Sequence, residues 1–161
     1  VSDSSGLRDR ALIATMAFGF ARVSAVVAMD VEDCFARHGQ GWLRLHERNG
    51  VYEIPLHPKA KDYLDAYLEA AGITGEPDMP LWRTITKERT FSRERMSRVD
   101  VFRMVKRRLR GAGLPEAANC DSIRAAGIAS YLANGGILGR AIMQVEPGEG
   151  LTPAEIARIG I

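Results

Sequence analysis

The chain has 161 residues, of which 46% are hydrophobic and 26% charged, with a formal net charge of +2. This is the balance of an ordinary globular protein, long enough to bury a core as one domain spanning residues 1–161. No apolar run approaches the roughly 20 residues of a membrane helix and no signal peptide opens the chain, so composition points to a soluble cytoplasmic protein.

In chain order, the first predicted helix runs from about Leu7 to Gly19, with Ser4 or Ser5 as its cap and Leu12, Ile13, Met16 and Ala17 among its apolar residues. A second apolar stretch, Val23 to Met29, leads into the acidic residues Asp30, Glu32 and Asp33. The run Gly39-Gln40-Gly41 signals a turn. Trp42 to His46 and Val51 to Leu56 alternate as strands do. Arg48-Asn49-Gly50 between them predicts a β-hairpin with Arg48 near its tip.

Pro58 to Ala71 has helical spacing in Tyr63, Leu64, Tyr67 and Leu68, with Gly72 as its C-cap. Gly75 to Pro80 reads as a loop. Ser97 and Asp100 have the spacing of a capping box, opening a helix to Arg110 whose residues Val99, Phe102, Val105 and Leu109 are expected to face inward. Arg103, Lys106, Arg107 and Arg110 would then face outward. Asp121 or Ser122 begins a further helix, with Asp121 read as its N-cap, and a shorter helix is expected through Leu138 and Ile142 to about Val145. Pro147-Gly148-Glu149-Gly150 breaks the chain before Thr152, which caps a last short helix from Pro153 to about Ile159. The order of helices, hairpin and helices predicts a mainly α domain with a small antiparallel sheet.

Cys34 and Cys120 lie far apart and outside any CxxC spacing, which reads as two inert thiols in a reducing compartment rather than a disulfide. His38, His46 and His57 have no ligand spacing, so no structural metal is expected. Charge is unevenly distributed. Between Arg83 and Arg110 a dense run of arginine and lysine is opposed only by Glu88, Glu94 and Asp100. Such a run is either a solvated face or a surface that neutralises phosphates, where contacts position a nucleic acid without reading its sequence.

Several segments together resemble the catalytic domain of the tyrosine recombinase (phage integrase) family. Phe20-Ala21-Arg22-Val23-Ser24 after the first helix is similar to the segment carrying that family's first catalytic arginine. Arg44 to Gly50, followed by Glu53 to His57, resembles its lysine-bearing hairpin. Pro80-Leu81-Trp82-Arg83-Thr84 and Met96-Ser97-Arg98 resemble the next landmarks, and Asp121-Ser122-Ile123-Arg124 through Gly136 resembles the His-x-x-Arg helix. The resemblance runs from about Leu7 to the C-terminus and implies the fold of DNA breaking and rejoining enzymes, without the N-terminal core-binding domain those proteins carry. It also implies a reaction in which a tyrosine attacks a DNA phosphodiester while two arginines hold the non-bridging oxygens, with neither metal nor nucleotide cofactor.

Carried over position by position, the resemblance gives a degenerate site. Arg22 and Arg124 match the two arginines, and Arg48 stands about where the hairpin lysine belongs, in a hairpin one residue shorter. Arginine keeps the charge but does not give up a proton near neutral pH. Asp121 replaces the first histidine, Pro147 falls at the second, and Ile156 falls where the nucleophilic tyrosine belongs. The tyrosines are Tyr52, Tyr63, Tyr67 and Tyr131, so none follows the His-x-x-Arg helix. Losing one acid or base costs about 10²–10⁴-fold; losing the nucleophile removes the covalent route.

The same residues also have ordinary structural roles open to them. Arg22 could pair with Asp30 or Glu32, Arg48 could be merely solvated, and Ile156 could be a core contact. Arg124 in the first turn of a helix opposes the helix dipole, which makes a purely structural role less comfortable. The expected function is therefore DNA binding without self-sufficient cleavage, with Arg22, Arg48, Arg124, Arg103, Lys106 and Arg107 as phosphate contacts. The expected partners are duplex DNA and a second copy or an active recombinase, with a nucleoid-associated location when DNA is bound. The alternatives are a recombinase-like fold kept for protein–protein association, and an assembly in which a partner donates the tyrosine in trans.

Overall fold

The computed structural model describes residues 4–133 and 153–160. In order these are α1 (Ser4–Gly19), α2 (Val23–Val27), a 3-10 turn (Val31–Asp33), β1 (Cys34–Arg37), β2 (Gln40–Glu47), β3 (Gly50–Pro55), α3 (Pro58–Ala71), β4 (Arg83–Ile85), β5 (Phe91–Arg95), α4 (Arg98–Gly111), α5 (Cys120–Ala133) and α6 (Pro153–Ile159). The expected helix through Leu138 and Ile142, the Pro147 break and the Thr152 cap lie outside the described residues.

Helix α1 is the central element. Ala11, Leu12, Ile13, Ala14 and Met16 are all buried, as in a helix that is apolar on every side because neighbours surround it. Helices α3 and α5 pack along it, and its alanines let them come close. The tightest approach is at Gly127 of α5, where an added Cβ would sit 1.7 Å from the Ala17 carbonyl oxygen. Only glycine fits there.

Strands β1, β2 and β3 form one antiparallel sheet, whose inner face presents Leu43, Leu45 and Ile54 to the core. The β2–β3 hairpin is the predicted one: Glu47 pairs with Gly50, leaving Arg48 and Asn49 as a two-residue loop. Strand β1 was not anticipated. It pairs with β2 through a turn at His38 (φ 53°) and Gly39 (φ 77°), a two-residue loop with both central residues left-handed.

A second hairpin, β4–β5, also escaped the alternation pattern, because its strands are short and rich in arginine. Tertiary partners hold it. Tyr67 donates to the Leu81 carbonyl at 2.6 Å and accepts from the Arg83 N–H at 3.3 Å, while its ring stacks on buried Trp82. Buried Arg83 is matched by Glu76 at 2.8 Å and by the Pro80 carbonyl at 3.0 Å.

Two expectations about α4 and α5 need correction. The Ser97–Asp100 capping box is present, but the buried residues of α4 are Val101, Met104, Val105 and Leu109. Val99 and Phe102 are 54% and 42% exposed. The inward stripe runs through Val101 and Met104, one step of helix phase away from the expected one. At the start of α5 the cap is Asn119, whose Oδ1 accepts from the Ser122 N–H while Ser122 Oγ accepts from the Asn119 N–H, both at 3.2 Å. Asp121 lies inside the helix rather than at its N-cap.

Candidate nucleic-acid interface

Arg22 is placed by the reversal that ends α1. Phe20 takes a left-handed conformation (φ 55°), unusual for a bulky residue, and Ala21 is fully buried. Arg22 then occupies the N-cap position of α2 in an extended conformation, with its side chain exposed. Asp30, one of the carboxylates open to it, is paired with Arg95.

Arg124 lies in the first turns of α5, 7% exposed, with Nη1 3.5 Å from the Asp121 carboxylate one turn earlier. Burial pulls the guanidinium below its ordinary proton affinity. Asp121 opposes that shift, the positive charge of Arg22 adds to it, and Glu47 opposes it. Arginine stays charged through shifts of this kind. The fold thus brings Arg22, Arg124, Asp121 and Glu47 into one another's fields although they come from three separated segments. Glu47 was not anticipated. Its position at the end of β2, on the inner face with Leu43 and Leu45, is what aims it there, and no local pattern marks it.

Arg48 follows Glu47 in the exposed hairpin loop. Pro147 lies outside the described residues, and of Ile156 only the backbone, within α6, is described. Tyr131 shares a helix face with Arg124 and Ile128, and its ring meets Phe20 edge-on at 5.2 Å. Its Cα stands about 10 Å further along the helix axis than that of Arg124. Of the other tyrosines, Tyr67 is fixed in the core and its hydroxyl is pushed up to about 12, burial being the main cause.

The basic run of α4 does not form one face. Arg103 is exposed. Arg107 is 62% exposed and reaches Asp9 of α1 at 3.4 Å, and Arg108 makes 2.9 and 2.7 Å hydrogen bonds to the same carboxylate. Lys106 points the other way, donating to the Glu116 carbonyl, and Arg110 pairs with the Glu116 side chain. Lys106 is half-buried rather than outward as expected. Much of the local positive charge therefore has an internal partner. Asp9 was the missed residue here, and the available signal was the one carboxylate of α1, set between Arg8 and Arg10.

Among the described residues no cluster of His, Cys, Asp and Glu could hold a metal, and no helix is long and apolar enough to cross a membrane. Cys34 and Cys120 are free. Burial pushes both thiols upward, Cys120 to about 12, so neither is a ready thiolate.

No protein-family model and no curated protein sequence matches the chain. Solved structures do. The chain superimposes on the XerA recombinase with a TM-score of 0.68 at 18% identity, covering 98% of this chain and 53% of that one. The XerH site-specific recombinase matches in two complexes. One is post-cleavage on palindromic difH substrate, with TM-score 0.65 and 15% identity, covering 91% of this chain and 41% of that one. The other is pre-cleavage on difH, with TM-score 0.64 and 14% identity, covering 88% and 40%. The chain thus spans about half or less of the length of these recombinases, and the likeness is one of fold.

Proposed function

Proceeding from this tyrosine recombinase-like fold, we propose that the chain is a DNA-binding, recombinase-like domain that grips duplex phosphates and does not cut DNA by itself. The observation that carries this reading is the meeting of Arg22 and Arg124. Asp121 and Glu47 offset part of the repulsion between the two guanidiniums, and a phosphodiester would add further negative charge with a geometry that suits arginine. The solved XerH complexes contain its difH substrate, which supports duplex DNA as the ligand of this fold.

Absence of self-sufficient cleavage follows from chemistry the sequence lacks. Ile156 stands at the position resembling the nucleophilic tyrosine, and the position resembling the first histidine holds Asp121, a carboxylate that repels phosphate oxygens. Arg48, exposed beside Glu47, and Arg103, exposed on α4, extend the phosphate-contacting surface. Lys106 and Arg107 contribute only as far as they give up Glu116 and Asp9. On this reading no cofactor takes part, the domain sits in the cytoplasm on the nucleoid, and it works beside a second copy or an active recombinase.

The test is binding of the chain to a labelled duplex across a salt series, beside an Arg22→Ala/Arg124→Ala variant. Affinity should fall with salt, and the variant should bind more weakly, with a slope shallower by about 1 per arginine that holds a phosphate. A nicked suicide duplex should give no covalent protein–DNA band on a denaturing gel. Absence of binding at low salt by a folded sample would sink the DNA reading. In its place would stand a fold kept for protein–protein association, which the Asp121–Arg124 pair favours by already balancing the buried charge.

A further inference from the structure

A second cationic centre lies at the opposite end of α1. Asp9, 1% exposed, accepts from Arg8 at 3.0 and 2.7 Å, from Arg108 at 2.9 and 2.7 Å and from Arg107 at 3.4 Å. One buried carboxylate is thus shared by three guanidiniums. Arg8 is fixed further by donating to the Arg83 carbonyl at 3.0 Å. Arg103, one turn before Arg107, adds an exposed guanidinium.

These arginines line a groove of about 570 Å³ between the start of α1, β4 and α4, with Thr84 and Met104 also on its walls. Asp100 lines the groove as well, but its carboxylate is taken up in capping α4 through the Ser97 N–H at 2.8 Å. Arg8 stands about 16 Å along α1 from Gly19, so the groove is remote from Arg22 and Arg124.

We propose that this groove binds a nucleotide-sized phosphate ester, either a free nucleoside triphosphate or the phosphorylated end of a nucleic-acid strand. Three observations support that chemistry. The guanidiniums exceed the carboxylates, so a ligand must carry more than one negative charge to balance them. Asp9 takes the Nε/Nη2 edges of Arg8 and Arg108, so a phosphate would be met chiefly by the exposed guanidiniums of Arg103 and Arg107. The volume is in the range of small-ligand sites. Half-buried Ile85 offers apolar surface to a base. The groove shares Arg103 and Arg107 with the surface proposed for the duplex, but not Arg22 or Arg124.

Calorimetric titration of the whole chain with ATP, and separately with a short 5′-phosphorylated oligonucleotide and its dephosphorylated twin, tests it. Binding of ATP, or of the phosphorylated strand in preference to its twin, is the expected result, and the better binder identifies the source. Arg103→Ala/Arg107→Ala should weaken that binding by about tenfold or more, while Arg22→Ala/Arg124→Ala leaves it unchanged. Both replaced groove residues are exposed, and a melting curve on the variant checks that it folds. Failure of every phosphate probe to bind would overturn the proposal, as would indifference to the Arg103/Arg107 variant. Equal displacement by an acidic peptide of matched charge would also overturn it, pointing to a protein partner.

Discussion

Arg124 carries its own counter-ion: Asp121, one helical turn before it, lies 3.5 Å from Nη1 and competes with any phosphate for the same guanidinium. Asp121 is 70% exposed on its side chain and Arg124 only 9%, so the carboxylate can be altered with little disturbance of packing. Asp121→Asn should therefore tighten duplex binding several-fold at low salt and steepen the salt dependence by about 1, read in the same titration as the wild type. Unchanged affinity would show that Arg124 does not meet the phosphate.

The contact between Gly127 and Ala17 sets how closely α5 can lie on α1. Gly127→Ala would drive a Cβ to 1.7 Å from a backbone oxygen that cannot move aside cheaply. The expected cost is about 1–3 kcal/mol or more, seen as a lower denaturation midpoint. Since α5 carries Arg124, duplex binding should weaken in the variant even at temperatures where it remains folded.

Asp9 holds three guanidiniums from a site that water does not reach. Asp9→Ala leaves them without their carboxylate and should cost about 3–5 kcal/mol, the usual penalty for breaking a buried charge pair from one side. Urea denaturation measures this directly. A loss below about 1 kcal/mol would mean that the arginines swing out to solvent in its absence.

His57 links stability to pH. Its ring stacks on Phe18 at 4.2 Å, and its Nδ1 accepts from the Lys59 N–H at 3.1 Å, capping α3. Burial, with the charge of Lys59, lowers its proton affinity below the ordinary value of 6.5. The unfolded chain therefore binds this proton more readily than the folded one. The contribution of neutral His57 is fully present above pH 6.5 and is lost as pH falls from there through the folded value. His57→Asn keeps a capping acceptor but does not titrate. Thermal midpoints measured between about pH 7 and about pH 5 should fall less steeply in this variant than in the wild type.

What the sequence determined by itself was local. The Ser97–Asp100 box, Pro58 and Gly72 around α3, and the Arg48-Asn49-Gly50 loop are legible because caps and tight turns act within about four residues. That no tyrosine stands between Tyr131 and Ile161 needs no structure at all. Tertiary structure decided everything that depends on which faces meet. The stripe of α4 was misjudged by one step because Val99 and Phe102 are as apolar as Val101 and Met104, and only the packed neighbours choose between them. Strands β4 and β5 hide among arginines because Tyr67, Glu76 and the Trp82 ring, not alternation, hold them. Asp9 meets Arg108 across 99 residues of sequence, and Arg22 meets the field of Arg124 only once α1 and α5 have packed. Charge partnerships of that kind follow from distance in space, which hydrophobic burial sets and no local spacing encodes.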